Sequence, residues 1–321
     1  MLNLKIALGD TSTTRGLKSG DIAIRGVNPE FVQVNPIIAA FRHMVRDLAY
    51  DVCELAPTTY LIARAHGVRF TALPIVLMRR FHHHGLVKRD DAQINEPKDL
   101  EGKTVGVRAY SVTTGVWTRG ILQNEYGVDP DRVTWMVDDE EHVTTMKLPS
   151  NVIRVPQGRS LAELFAKGEI QAGFTGNAGI GRAGAPTEGW QGGGIAADEY
   201  PEVIADAAKA EAEWFGRTGI YPIHGIVVVK DDVLADNPWL PEALMEAFQA
   251  SKQLQLDRLA RGEAEDATDK RYLRDMKVVG PDPLVFGLKA NAPSIDALIQ
   301  YAHQQRLIDE RPARESVFVD I

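Results

Sequence analysis

Cysteine is nearly absent from this sequence: Cys53 is the only one in 321 residues. One cysteine closes no intrachain disulfide and leaves no Cys-x-x-Cys spacing for zinc or redox chemistry. Its apolar surroundings (Tyr50-Asp51-Val52) make it a core residue rather than a nucleophile. Long apolar runs are missing as well. No stretch approaches the ~18 residues that cross a bilayer. The opening MLNLKIALGDTS reads as a strand and has neither the basic start nor the apolar run of a secretory signal. The chain therefore reads as cytoplasmic, with no membrane partner. Positive charge is not in excess: 36 Lys+Arg stand against 44 Asp+Glu, giving −8 and a pI near 5.6. That balance argues against nucleic acid as a partner, while leaving room for a local basic cluster that holds a small anion.

What is present is ordinary globular composition, 44% hydrophobic and 25% charged. At roughly 150 residues per domain, two domains are expected, each large enough for its own core. Short apolar strands (4–8, 51–55, 70–77) alternate with helical patterns (37–48, and from Pro57 on, with Thr58 or Thr59 as N-cap). This alternation predicts an α/β fold of two doubly wound, mixed-sheet lobes. Further on, the pattern predicts strands at 104–107, 133–137, 153–155 and 171–175, and helices at 116–126, 160–167 and 200–215. The glycine-rich 176–194 has G-x-x-G-x-G spacing with no βαβ unit after it, so it reads as a loop rather than a phosphate loop. A strongly β stretch at 220–229 precedes a helix opened by Pro238 at its first position. The charged stretch 258–270 reads as a solvated helix or loop, and a last helix covers 294–305. Crossings near 102 and 225 predict a discontinuous first domain, residues 1–102 and 226–321, and a second at 103–225. A ligand cleft is expected between them at the carboxyl ends of strands.

The segment GKTVGVRAYSVTTGVWTRGIL, 102–122, organises this reading. A strand runs into a polar turn and then a helix near Gly115. The unpaired first-turn amides and the helix dipole make such a turn an anion site. Thr113 and Thr114 add hydroxyls, and Arg108 and Arg119 add charge. Arg119, inside the helix, is expected to pair with Glu125 or face solvent. Arg15, in the hydroxyl-rich loop after the first strand, is assigned a functional role. Glu54 closes an apolar strand and is costly to bury alone, so a structural hydrogen bond and a site role stand level. Trp117 and Tyr60 read as packing residues. In the run His82-His83-His84, strand geometry would put His82 and His84 on one face and His83 on the other. One of the three is expected to face the cleft and the others solvent. A metal on His82 and His84, joined by His224 and Glu54, is an alternative, but no H-E-x-x-H or C-x-x-C spacing supports it.

The run 96–107, E-P-K-D-L-x-G-K-x-V-G-V, resembles the type 2 periplasmic-binding-protein fold. Within that superfamily the chain resembles the 4,5-dihydroxyphthalate decarboxylase family. The stretches that carry this are Cys53-Glu54 with Thr59-Tyr60, Ala109-Tyr110 with Thr113, Arg119-Gly120-Ile121-Leu122, Arg217 to Ile223, Asn237-Pro238-Trp239 and Tyr301-Ala302-His303. Two departures stand out. The family has Arg-His-Ser after a phenylalanine where this chain has His82-His83-His84 after Phe81. It has Met-His after Pro-Ile where this chain has His224-Gly225. The resemblance implies a decarboxylase for a dihydroxylated aromatic dicarboxylate, needing no cofactor, with a small aromatic carboxylate as partner and self-association left open. His83 or His224 would be the proton donor, and Glu54 would orient an imidazole or accept a phenolic proton. Arg15, Thr59, Thr113, Thr114 and Arg119 would hold carboxylates, and Tyr110 a phenol oxygen. The competing reading is a solute-binding protein that presents an organic anion to a transporter. A thiamine-precursor enzyme is a third, supported only by the histidine run.

Overall fold

The computed structural model describes residues 1–181 and 199–321. Elements run β1 (Leu2–Ala7), α1 (Arg15–Ser19), β2 (Val27–Phe31), α2 (Ile38–Asp47), β3 (Val52–Leu55), α3 (Pro57–Ala65), β4 (Phe70–Arg79) and β5 (Leu86–Lys88). They continue with β6 (Thr104–Gly106), α4 (Thr113–Tyr126), β7 (Thr134–Val137), β8 (Val152–Arg154), α5 (Leu161–Ala166) and β9 (Ala172–Phe174). The last are α6 (Ala207–Thr218), β10 (Ile223–Lys230), α7 (Asp231–Asp236), α8 (Leu240–Ala260), α9 (Ala267–Val279), α10 (Ala292–Gln304) and α11 (Arg314–Val317). Strand and helix alternate as the periodicity predicts.

Two compact units result. The first comprises Met1–Arg80, Arg217–Ile299 and Arg311–Ile321, and the second Phe81–Gly216 and Gln300–Glu310. The boundaries expected near 102 and 225 therefore move to 80/81 and 216/217. The reason is strand pairing: β5 pairs antiparallel with β9, which takes the chain from Phe81 into the second unit. β10 pairs antiparallel with β3 and β4 in the first.

The first unit holds a five-stranded sheet in the order β2-β1-β3-β10-β4. β1 pairs parallel with β2 and β3, so only β10 runs against the rest. Leu4, Ile6, Val52, Leu73, Ile75, Val227 and Val229 pack with Leu240, Leu244 and Phe248 of α8. Each such side chain fully buried contributes roughly 1.5–3 kcal/mol, which is what holds α8 in place. Pro57 opens α3 with Ala56 extended before it. Thr58 and Thr59 therefore lie inside the first turn, and neither is the N-cap. The second unit holds the order β5-β9-β6-β7-β8, with β6 parallel to β7 and β9. Ser160 caps α5 by accepting the Glu163 N–H at 3.1 Å.

Three helix expectations change. α6 starts at Ala207 rather than 200, because the segment before it makes an isolated bridge to β5: Val203 N–H donates to Leu86 O at 2.8 Å and Lys88 N–H to Pro201 O at 2.9 Å. α8 starts at Leu240 with Pro241 in its first turn, two residues past Pro238. The charged stretch after 258 leads into a full helix, α9, capped by Asp266 and burying Asp269, Tyr272 and Asp275 along one stripe. The glycine-rich loop expected at 176–194 lies from residue 182 outside the described residues. Among the described residues no helix is long and apolar enough to cross a membrane.

Candidate functional site

In the first unit the chemistry gathers where β3, β4 and β10 run side by side. β3 is buried along its whole length, so Glu54 enters the interior as a carboxyl group. Its Oε2 accepts the Gly9 N–H at 2.9 Å. Burial pushes its pKa up, against the opposing pull of that amide and of the Lys18 charge. Gly9 leaves room for the carboxyl, since a β-carbon there would meet Glu54 Oε2 at 3.0 Å, whereas one at Gly225 would sit at an ordinary 3.5 Å from Oε1. Gly225 follows His224 directly.

His224 sits in a β-bulge. Ile223 faces Arg79 across the ladder and Gly225 faces Met78, so two steps on β10 answer one on β4. The extra residue is His224. A bulge breaks the strict alternation of strand faces and re-aims the residue it inserts. The half-buried His224 Nε2 lies 3.4 Å from Arg80 Nη2.

Three arginines stand around this point. Arg79 is buried; its Nη2 donates to Asn291 Oδ1, its guanidinium lies 5.4 Å from the Tyr221 ring centre, and its N–H donates to Tyr272 Oη at 3.2 Å. Burial brings its pKa down to about 10. Arg80 is also brought to about 10, first by burial and then by the neighbouring Arg271 charge. Arg271, on α9, lies over the Tyr272 ring at 5.3 Å and hydrogen-bonds that residue. Tyr221 Oη donates to Asp275 Oδ2 at 2.9 Å. Sequence reasoning passed over all three arginines. The pair Arg79-Arg80 ending an apolar strand was a readable signal; Arg271, inside a charged run, offered none.

The loop after β1 is spent on the fold. Thr13 Oγ1 donates to Gln255 Oε1 at 2.6 Å, Ser251 Oγ to Thr13 O at 2.6 Å, and Thr14 Oγ1 to Gly9 O at 2.6 Å. Arg15 is outside this network, with its side chain 56% exposed and ion-paired to Glu265. Thr59 is buried in α3.

In the second unit the turn before α4 does bind a carboxylate, but the protein's own. Glu141 accepts the Tyr110 N–H at 2.6 Å, the Ser111 N–H at 3.2 Å, and the Ser111 hydroxyl. Neither Ser111 nor Glu141 was singled out from sequence. Thr113 and Thr114 are buried in the first turn of α4. Arg119 is fully buried, neither facing solvent nor paired with Glu125. Its Nε donates to Gln305 Oε1 at 2.7 Å, its Nη2 to Tyr110 O, and it stacks on the Tyr110 ring at 4.0 Å. Glu125 instead accepts from Trp214 Nε1 at 3.1 Å. Burial lowers the Arg119 pKa and raises that of Tyr110. Trp117 and Tyr60 pack in cores, as predicted.

The histidine run is not a strand. It lies between β4 and β5, so the two-face alternation does not apply. His82 and His83 are both buried, which corrects the expectation that two of the three face solvent. His83 packs edge-on against Trp214 at 5.0 Å. His84 Nδ1 is 2.6 Å from Glu211 Oε1. Among the described residues no group of three His, Cys, Asp or Glu side chains is arranged to hold a metal ion. A surface hollow of this unit, lined by Arg89, Asp91, Lys103 and Gln171, includes none of the residues predicted for the site.

Residues 26–280 match a family model described as ABC transporter, phosphonate, periplasmic substrate-binding protein. The chain is 33% identical over 325 residues to a 4,5-dihydroxyphthalate decarboxylase of Comamonas testosteroni, covering 97% of this chain and 94% of that protein. It is 35% identical over 182 residues to a Pseudomonas putida protein of the same name, covering 53% of this chain and 69% of the relative. Among solved structures, the alkanesulfonate-binding protein SsuA from Xanthomonas axonopodis pv. citri bound to MOPS superposes with TM-score 0.54 at 11% identity, over 100% of this chain and 99% of that one. At that identity the likeness establishes the fold, that of the type 2 periplasmic binding proteins.

Proposed function

The chain belongs to the 4,5-dihydroxyphthalate decarboxylase family, and on that premise we propose that it releases CO2 from a dihydroxylated aromatic dicarboxylate, with 4,5-dihydroxyphthalate the first choice. The nearly full-length likeness to a relative of that name carries the reading. The chemistry asks little of the protein. Each carboxylate of this substrate is para to a ring hydroxyl, so loss of a phenolic proton drives electrons to the ring carbon that bears the leaving group. An acid protonates that carbon, the C–C bond breaks to give CO2, and aromaticity returns in 3,4-dihydroxybenzoate. Acid and base of suitable pKa, placed in a poorly solvated site, suffice.

The first unit holds a candidate for each role. Glu54 is a carboxyl whose burial holds its proton to higher pH, and His224 is aimed by the bulge beside Arg80. We assign His224 as the proton donor to carbon and Glu54 as the group that takes the phenolic proton. His83, packed on Trp214 in the second unit, is the other histidine to test.

The family model's description favours a second reading, a solute-binding protein for an aromatic or small organic anion. Purified protein with 4,5-dihydroxyphthalate separates the two. Release of CO2 and 3,4-dihydroxybenzoate, unaffected by a chelator and reduced at least roughly 100-fold in His224→Ala, is the expected result. Loss in His83→Ala alone would move the acid to the second unit, and chelator sensitivity would return a metal to the histidine run. A thermal shift with the acid but no CO2 would leave the binding reading.

A further inference from the structure

We infer that Arg271 and Arg80 together clamp the carboxylate that the substrate keeps, an assignment that rests on the decarboxylase reading above. Arg271 is the key observation. Its Nε and Nη2 are buried and have no hydrogen-bond partner among the described residues, although a guanidinium carries five donors in a fixed fork. The Tyr272 ring lies 5.3 Å from its guanidinium carbon. Arg80 lies close enough that the two like charges work against each other, and its Nη2 reaches to 3.4 Å from His224 Nε2. Arg79 differs in that Asn291 takes its Nη2 and the Tyr221 ring lies against it, which leaves only its Nε without a partner among the described residues.

Two neighbouring half-buried arginines, one with two idle donors, are complementary to a carboxylate, which accepts from such forks in pairs. The retained carboxylate is the right one for this place. An arginine on the departing carboxylate would stabilise the ground state and lose its hold as CO2 forms, whereas one on the retained group holds equally well throughout. In an ortho-dicarboxylate the reacting carbon is bonded to the carbon that bears the retained group. An acid beside the clamp, as His224 is, then stands next to the carbon it must protonate. The same geometry stops the reaction after one CO2. 3,4-Dihydroxybenzoate would put its only carboxylate in the clamp and present a hydrogen where the leaving group should be.

The test compares wild type, Arg271→Met and Arg271→Lys, each checked for folding by circular dichroism and melting. It uses turnover of 4,5-dihydroxyphthalate and calorimetric binding of phthalate, which lacks the hydroxyls needed for reaction. Losing a charged bidentate contact is expected to raise KM and the phthalate Kd by roughly 30-fold in Arg271→Met. Most of the loss should appear in KM rather than kcat, with Arg271→Lys in between. Inhibition by 3,4-dihydroxybenzoate should weaken in parallel. A folded Arg271→Met with KM and phthalate Kd within about twofold of wild type overturns the clamp and leaves the decarboxylase reading standing. Wild type that binds phthalate through Arg271 but releases no CO2 keeps the anion site and removes its decarboxylase setting. Wild type that does not bind phthalate overturns the clamp.

Discussion

Glu54 and Glu141 are both buried carboxylates that accept backbone amides, yet their surroundings give them different work. Glu54 accepts one amide, from Gly9, and burial raises its pKa above the ordinary 4.5. Its ionised form is therefore less favourable in the folded state than in the unfolded chain. The sign follows: stability from this group is full below about pH 4.5 and is lost as pH rises through the raised folded value. Glu54→Gln keeps an oxygen for Gly9 and removes the titration. Calorimetric melts should show the variant gaining on wild type between pH 4 and pH 7, while kcat at pH 7 falls by roughly 100-fold or more. Equal melting differences at both pH values would show that Glu54 does not titrate in that range. Glu141 accepts two amides and a hydroxyl. Glu141→Ala strands those donors in the interior, at about 1–3 kcal/mol each. Chemical denaturation should show a loss of at least about 2 kcal/mol, with Glu141→Gln recovering part of it. An unchanged midpoint would mean that water reaches the Tyr110 and Ser111 amides.

At the scale of elements, β10 decides how the histidine of the first unit is presented. The family order after Pro-Ile is Met-His, whereas this chain has His224-Gly225. In a regular strand that exchange would turn the imidazole to the other face. The bulge between Ile223 and Gly225 breaks that regular alternation at position 224. Gly225 has room for a β-carbon, which would sit 3.5 Å from Glu54 Oε1, an ordinary contact. The double variant His224→Met/Gly225→His therefore moves the imidazole toward Glu54 without removing it. Its kcat should lie at least roughly tenfold above that of His224→Ala. Equal rates would show that the ring must approach from position 224. α9 supplies the other element-scale lesson. Asp269, Tyr272 and Asp275 are the buried residues of its stripe. Two of the three are acidic, so apolar periodicity could not reveal the helix's inner face.

At the scale of the molecule, Glu54, Arg80, His224 and Arg271 all belong to the first unit, although they come from positions spread across most of the chain. A ligand held there adds RT ln(1 + [L]/Kd) to the stability of the state that binds it, about 2.7 kcal/mol at 100 times Kd. Amide hydrogen exchange with saturating phthalate should therefore slow over residues 78–80, 223–226 and 269–275. Protection confined to residues 108–119 instead would place the anion on the turn that Glu141 occupies. The α/β alternation, the core positions of Cys53, Tyr60 and Trp117, and family membership were all legible in the sequence. These depend on local periodicity and short motifs, which a linear chain displays. Which donors remain open was not legible. The carboxylate that fills the 108–112 turn is 31 residues from Tyr110, and Arg271 meets Arg80 only because α9 packs in the same unit as β4. The unit boundary, too, was set by β5 choosing β9 as its partner. Hydrogen-bond and charge satisfaction are settled between groups distant in sequence, so only the tertiary structure could decide them.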